Sequence, residues 1–318
     1  MAGKNKHFAD DGWAVWIDGE DTSTVYMNDW LSPHGKSYID VGVHIRGIKE
    51  TTGLNIYIPF GVSKEEVEDI SLLLGDEKIL RAIFSTVCIV DYKKNQCTSE
   101  IAYNGKTMDI VHISQCEYEL KKISDGTLLQ VSFENLQQYV ANDEAYFLFR
   151  IPHKSFDRIF ESNINVAGAL ERLRDLITTP VVSERYAYSV RINEARLLPP
   201  EINRIGAFHR QKLKKAVVAI SIGEDYEIND SACYRVHRVE EDLYKNYAVK
   251  DFDCSSAITY QWNKSREQGK KAQYNFNVSI SRDSVSKSSM LIYMILIVII
   301  GSGGSALWDL IKYIWGNM

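Results

Sequence analysis

Proline is scarce in this chain, six residues in 318, and no low-complexity run separates one part of it from another. That leaves little room for a flexible linker between independent domains. Cysteine is sparse too. Cys88, Cys97, Cys116, Cys233 and Cys254 are scattered, odd in number and without a C-x-x-C pair. A disulfide framework or zinc ribbon is excluded on that pattern, and a reducing compartment is expected. Charge of one sign is also lacking, since 37 Lys and Arg face 42 Asp and Glu for a net −5. A general nucleic-acid binder is normally strongly basic, so no nucleic-acid partner is expected.

Catalytic signatures are missing as well. The chain has no P-loop, G-x-S-x-G, H-E-x-x-H or G-x-G-x-x-G. Its seven histidines (His7, His34, His44, His112, His153, His209, His237) are dispersed, and none pairs at metal-ligand spacing. No catalytic residue, metal site or cofactor is assigned, and the chain reads as a non-enzyme. The acidic groups Asp10, Asp11, Asp18, Glu20, Asp21 and Asp29 cluster early, but not at EF-hand spacing, and read as a solvated face. Trp13 and Trp16 have opposite strand parity, which leaves one of them free for a partner. Met1 to Asp10 lacks an apolar core behind its lysines, so no secretory signal is expected, and the sequons at Asn229, Asn263 and Asn277 read as chance.

What is present is β-rich. The eighteen tyrosines favour strands. Alternation or β-branched and aromatic enrichment marks strands at 13–17, 38–46, 54–59, 86–92, 106–113, 128–133, 145–151, 186–192, 214–222, 257–262 and 274–281. Ser124-Asp125-Gly126-Thr127 reads as a hairpin turn. A capping box at Ser63 and Glu66 opens a helix over 64–74, with shorter helices at 77–84, 167–177 and 239–247. Sparse helices without βαβ alternation predict an α+β, β-rich domain. A loose echo between Tyr38–Arg46 and Tyr186–Asn193 divides it into two related lobes, 1–160 and 161–285; a single domain is the alternative.

One long apolar run stands out. From Met290 to Leu307 no residue is charged. At about 1.5 Å per residue it covers roughly 27 Å, close to a bilayer core of about 30 Å. The expectation is therefore a single C-terminal transmembrane helix with a short amphipathic tail over 286–318. Trp308, Tyr313 and Trp315 would lie at the membrane interface. Lys270, Lys271, Arg282 and Lys287 precede the run while Lys312 alone follows it, which places the N-terminal domain in the cytoplasm. Gly301, Ser302, Gly304, Ser305 and Ala306 supply small-xxx-small spacing, which lets helices pack closely in a homo-oligomer. The glycines also offer a bend before the tail. Arg210, Lys212, Lys214, Lys215, Lys270 and Lys271 could hold an anion or a lipid headgroup.

Together these features predict a tail-anchored sensor whose clustered helices perturb the membrane, with membrane lipid and a protein as further partners. In plan this resembles bacterial immune effectors that join a sensing domain to a membrane helix for antiviral defence, a likeness of architecture carried by no shared motif. The alternatives are a tail-anchored adaptor recruiting a protein partner, or a membrane-tethered enzyme with an unrecognised site.

Overall fold

The structure is a computed structural model that describes residues 8–19, 22–32, 35–84, 88–91, 97–103, 105–156, 182–205, 208, 213–229, 232–250, 252–267, 272–284 and 287–316. The described strands are β1 (Phe8–Gly19), β2 (Thr22–Trp30), β3 (Tyr38–Arg46), β4 (Thr51–Ile58), β5 (Cys88–Asp91), β6 (Thr98–Tyr103), β7 (Lys106–Val111) and β8 (Tyr118–Ile123). They continue with β9 (Gly126–Ser132), β10 (Glu144–Pro152), β11 (Val182–Ile192), β12 (Lys215–Gly223), β13 (Glu227–Asn229), β14 (Arg235–Arg238), β15 (Ala257–Ser265) and β16 (Tyr274–Ser284). The α-helices with described bounds are α1 (Glu77–Phe84), α2 (Pro200–Asn203), α3 (Glu241–Tyr244) and α4 (Lys287–Gly316).

The strands form a seven-stranded sheet, β13-β16-β11-β1-β4-β9-β8, and a nine-stranded sheet, β14-β15-β12-β2-β3-β10-β7-β6-β5. Period-two alternation decides which side chains meet between them. Val25 and Met27 of β2, Val41 and Val43 of β3, and Phe147 and Phe149 of β10 share one core with Val15, Ile56, Leu129, Val190 and Ile280 of the other sheet. Both sheets draw strands from both halves of the chain, and the halves join through parallel pairs, β1 with β11 and β2 with β12. On either side of this seam the pairing repeats. Antiparallel β1–β4 and β2–β3 correspond to β11–β16 and β12–β15. That correspondence sets β11 against β1, not against the β3 segment whose sequence it echoes. The expected lobe boundary at 160/161 and the expected helix over 167–177 lie outside the described residues.

Local readings differ where tertiary packing overrides them. The capping box at Ser63 is real, with Ser63 N–H donating to Glu66 at 2.9 Å, yet it opens only a 3-10 turn, Lys64–Glu66. The backbone then bridges Glu68 to Arg150 of β10, which ends helix growth. Trp13 and Trp16 point to opposite faces as parity requires, but both are buried. Trp13 packs on Phe60 (centroids 5.9 Å apart), and Phe208 covers Trp16 at 5.8 Å.

The C-terminal expectation is corrected. Among the described residues no helix is long and apolar enough to cross a membrane. The aliphatic block Leu291 to Ile300 rises only about 15 Å, half the thickness of a bilayer core, before the small and polar Gly301–Ser305 segment begins. The single-pass, tail-anchored placement with a cytoplasmic domain falls with the span. Nor do the glycines bend the chain, because α4 is one continuous 30-residue helix through Gly301 to Ala306.

Candidate functional site

The outer face of the nine-stranded sheet carries the candidate site. On β2, Thr24, Tyr26 and Asn28 are the outward, half-buried positions, while Ser23, Val25, Met27 and Asp29 point into the core. The register carries this face across the seam. Tyr26 lies beside Val217, Asn28 beside Ala219, and Trp30 beside Ser221 on β12. Thr259 and Gln261 of β15 extend the rows, followed by His237 and Arg235 of β14. In the other direction Asn28 neighbours Asp40, and Asp40 neighbours Arg150. One row therefore reads Arg235, Gln261, Ala219, Asn28, Asp40, Arg150 across six strands.

A roof of α1 and the segment around α3 closes over this floor and leaves a cavity of about 400 Å³. That falls within the roughly 300–1,000 Å³ of small-molecule sites. Trp30 fixes the roof to the floor, with the rings of Tyr244, Tyr247 and Phe252 at 6.2, 6.0 and 5.1 Å. Below it, Asp40 accepts from Trp30 Nε1 at 2.7 Å and from Arg150 Nε and a terminal nitrogen at 2.6 and 3.0 Å. Arg150 also donates to the Tyr247 carbonyl at 2.9 Å, so one buried ion pair ties β3, β10 and the roof together.

Burial governs the ionisation of the lining. It pushes Tyr26 and Tyr146 up from the ordinary phenol range, and Tyr244 up to about 12 with help from Glu240. The phenols are therefore neutral hydroxyls at physiological pH. Burial and the Arg235 cation lower His237, against the opposing pull of Glu240, so its imidazole is neutral as well. His237 Nδ1 is buried and has no hydrogen-bond partner. A buried polar atom without a partner is costly, and such atoms in native folds tend to mark a function. Ser221 and Thr259 bond each other at 2.8 Å, and neither hydroxyl is hydrogen-bonded to His237. The lining thus combines polar and aromatic groups of the kind found in small-molecule sites.

Gly42 is required by this floor. A Cβ there would sit 2.2 Å from the Tyr146 hydroxyl oxygen and 2.9 Å from its Cζ. Gly42→Ala is expected to destabilise the fold by about 1–3 kcal/mol in urea titrations, as overpacking does. Adding Tyr146→Phe, which removes the closer atom, is expected to return part of that loss.

A second constellation looks catalytic in composition. Ser71 Oγ lies 2.5 Å from Asp69 and 2.8 Å from His112 Nδ1, and Ser99 Oγ lies 2.7 Å from His112 Nε2. The order is wrong for a triad, because the carboxylate holds a serine rather than the histidine. Both ring nitrogens are occupied by hydroxyls and His112 is buried, so this network fastens the segment after Asp69 to β6.

The residues singled out from sequence lie elsewhere. Gly301 and Gly304 have open space where a Cβ would be; Ser302 is exposed. Ser305 and Ala306 belong to the same helix, and nothing is described of their side chains. Trp308, Tyr313 and Trp315 are 58%, 71% and 79% exposed. Lys214 is exposed and Lys215 half-buried at the start of β12, while Arg210, Lys212, Lys270 and Lys271 lie outside the described residues. Of the early acids, Asp29 is buried against Tyr188 and Asp18 accepts from Asn55 at 2.8 Å, while Glu20 and Asp21 lie outside the described residues. Among the described residues no group of His, Cys, Asp and Glu is placed to hold a metal ion.

No protein-family model and no curated protein sequence matches the chain. Among solved structures, the Fcho1 Mu homology domain of Danio rerio with bound Eps15 peptide aligns over 86% of this chain and 79% of its own, at 8% identity and a TM-score of 0.12. A likeness that weak carries no argument.

Proposed function

We propose that the chain is a non-catalytic sensor, in which the cavity across the seam binds a small ligand and α4 gives the output by associating with α4 of other copies. The observation that carries the reading is the position of the cavity. Its floor is shared by β2 of one half and β12 of the other, so an occupant touches both halves at once. Sites at such junctions are common because a ligand there biases how the two parts sit together.

The output half rests on α4. Leu291, Ile295, Ile297, Val298, Ile299 and Ile300 are all exposed, and they point to every side of the helix. A helix apolar all round has to be enclosed. A single flat partner covers one side only, whereas a bundle of identical helices encloses each member. Gly301, Gly303 and Gly304, each with open space where a Cβ would be, allow their backbones to approach.

Solution mass tests this. The full chain is expected to run as an oligomer of at least three copies, and a chain ending at Ser284, which keeps every described strand, as a monomer. A full chain that stays monomeric at high micromolar concentration would overturn the assembly and leave recruitment of a different protein as the use of α4.

A further inference from the structure

The cavity has two chemically different ends. At the β2–β3 end stand Tyr26 and Tyr146 on the floor, with Tyr244 and Tyr247 on the roof. Tyr26 and Tyr244 are only half-buried, so their rings border the open space. Between them the floor is kept low by Ala219, which leaves a slot bordered by aromatic rings. Such a slot suits a planar ring, since offset and edge contacts between aromatic rings add about 0.5–1.5 kcal/mol beyond area burial.

At the β14 end stand Arg235, His237, Gln261 and Glu240. Arg235 is exposed and makes no ion pair among the described residues, in contrast to Arg150, which Asp40 neutralises, and Arg81, which Glu77 holds at 3.1 Å. A guanidinium fork with no carboxylate on it fits a carboxylate or phosphate group. Glu240 beside it is an acceptor for a ligand N–H. Arg235 and Asn28 are three strand spacings apart along the row, about 14 Å at about 4.8 Å each. A ligand filling the cavity therefore has its ring at one end and its charge at the other.

We infer that the cavity takes a planar nitrogen-bearing aromatic ring joined to an anionic group, with the ring between Tyr26 and Tyr244 and the anion on Arg235 and His237. This rests on reading the cavity as a ligand site. The chemistry is shared by a nucleoside monophosphate and by an aromatic amino acid such as tryptophan. The phosphate and the carboxylate are then two arms of one experiment.

Calorimetric titration of the full chain with adenosine monophosphate, tryptophan, adenosine, indole and inorganic phosphate tests it. At least one of the two anionic ring compounds is expected to bind ten times or more tighter than its neutral counterpart and than phosphate alone. Arg235→Gln, at an exposed position that leaves the core untouched, is expected to weaken that ligand about tenfold or more while sparing the neutral ring. Tyr244→Ala is expected to weaken both. Equal binding of neutral and anionic rings, with Arg235→Gln silent, would overturn the anion assignment and leave the ligand site standing. Phosphate binding as tightly as either ring compound would overturn the ring assignment. No binding of any probe at millimolar concentration would overturn both the ligand class and the site.

Discussion

Asp40→Ala is expected to cost about 3–5 kcal/mol of folding stability, because it strands Arg150 as a buried cation. Asp40 and Arg150 are 2% and 5% exposed and meet at two points. Burial alone would favour a neutral guanidine, but the adjacent Asp40 carboxylate outweighs it and raises Arg150 further. The same substitution removes the acceptor of Trp30 Nε1, so the tryptophan that fixes the roof loses its anchor. Total stabilities of about 5–15 kcal/mol make this a large fraction. Urea unfolding should show a lower midpoint with an unchanged slope. Replacing both partners, as in Asp40→Leu with Arg150→Met, is expected to cost less than Asp40→Ala alone, since no charge is left without its counter-ion. A single-variant loss below about 1 kcal/mol would mean the pair does not hold roof to sheet.

How the site came to be invisible in sequence follows from the same pair. Asp40 and Arg150 are 110 residues apart and each sits in a strand whose alternation was legible, over 38–46 and 145–151. Alternation shows that two residues face the same way along one strand. It does not show which strands are neighbours. The row from Arg235 to Arg150 needs β14, β15, β12, β2, β3 and β10 in that order, and chain order places them far apart. Tyr26 and Asn28 were missed for a second reason. Thr22–Trp30 mixes Ser, Thr, Asn and Asp with Val and Met, and the polar inward positions Ser23 and Asp29 spoil its hydrophobic pattern. The signal that was available is Tyr-x-Asn at 26–28 flanked by Val25, Met27 and Trp30.

The strands that were legible had the simplest environments. Tyr38–Arg46 was read at its observed bounds because six of its nine residues are β-branched, aromatic or glycine within a clean run, and both its faces are covered. The hairpin at Ser124 and Asp125 formed as expected, with Ile123 opposite Gly126 and Ser124 at φ 52°. The C-terminal run was misread because absence of charge was weighed over apolar density. Eighteen uncharged residues satisfy a length criterion, yet the strongly aliphatic part stops at Ile300.

Tyr188→Phe is the second large effect expected, at about 2–4 kcal/mol, although it deletes a single oxygen. The hydroxyl joins the two sheets. It lies 2.7 Å from His153 Nε2 and donates to Asp29 Oδ2 at 3.3 Å, with Asp29 on β2 and Tyr188 on β11. The Phe156 backbone N–H donates to His153 Nδ1 at 3.0 Å, which assigns the ring proton to Nε2. The chain of donors then runs one way, from Phe156 through His153 and Tyr188 to the carboxylate. Asp29 is 0% exposed, and its Oδ1 lies 3.3 Å from His153 Nε2 but in no aligned hydrogen bond. Remove the phenol oxygen and a buried carboxylate loses its one aligned side-chain donor, while the His153 Nε2–H loses its nearest acceptor. His153 Nε2 still has Asp29 Oδ1 at 3.3 Å, so the loss falls on the carboxylate, and a buried polar group deprived of its donor costs about 1–3 kcal/mol, more where it is charged. Asp29→Ala in the Tyr188→Phe background should therefore recover stability instead of losing more, because the stranded charge is gone. Urea titration of the two single variants and the double variant decides it. Additive losses would show that the oxygen contributes packing alone, and recovery in the double variant identifies a buried carboxylate that one phenol keeps satisfied between the sheets.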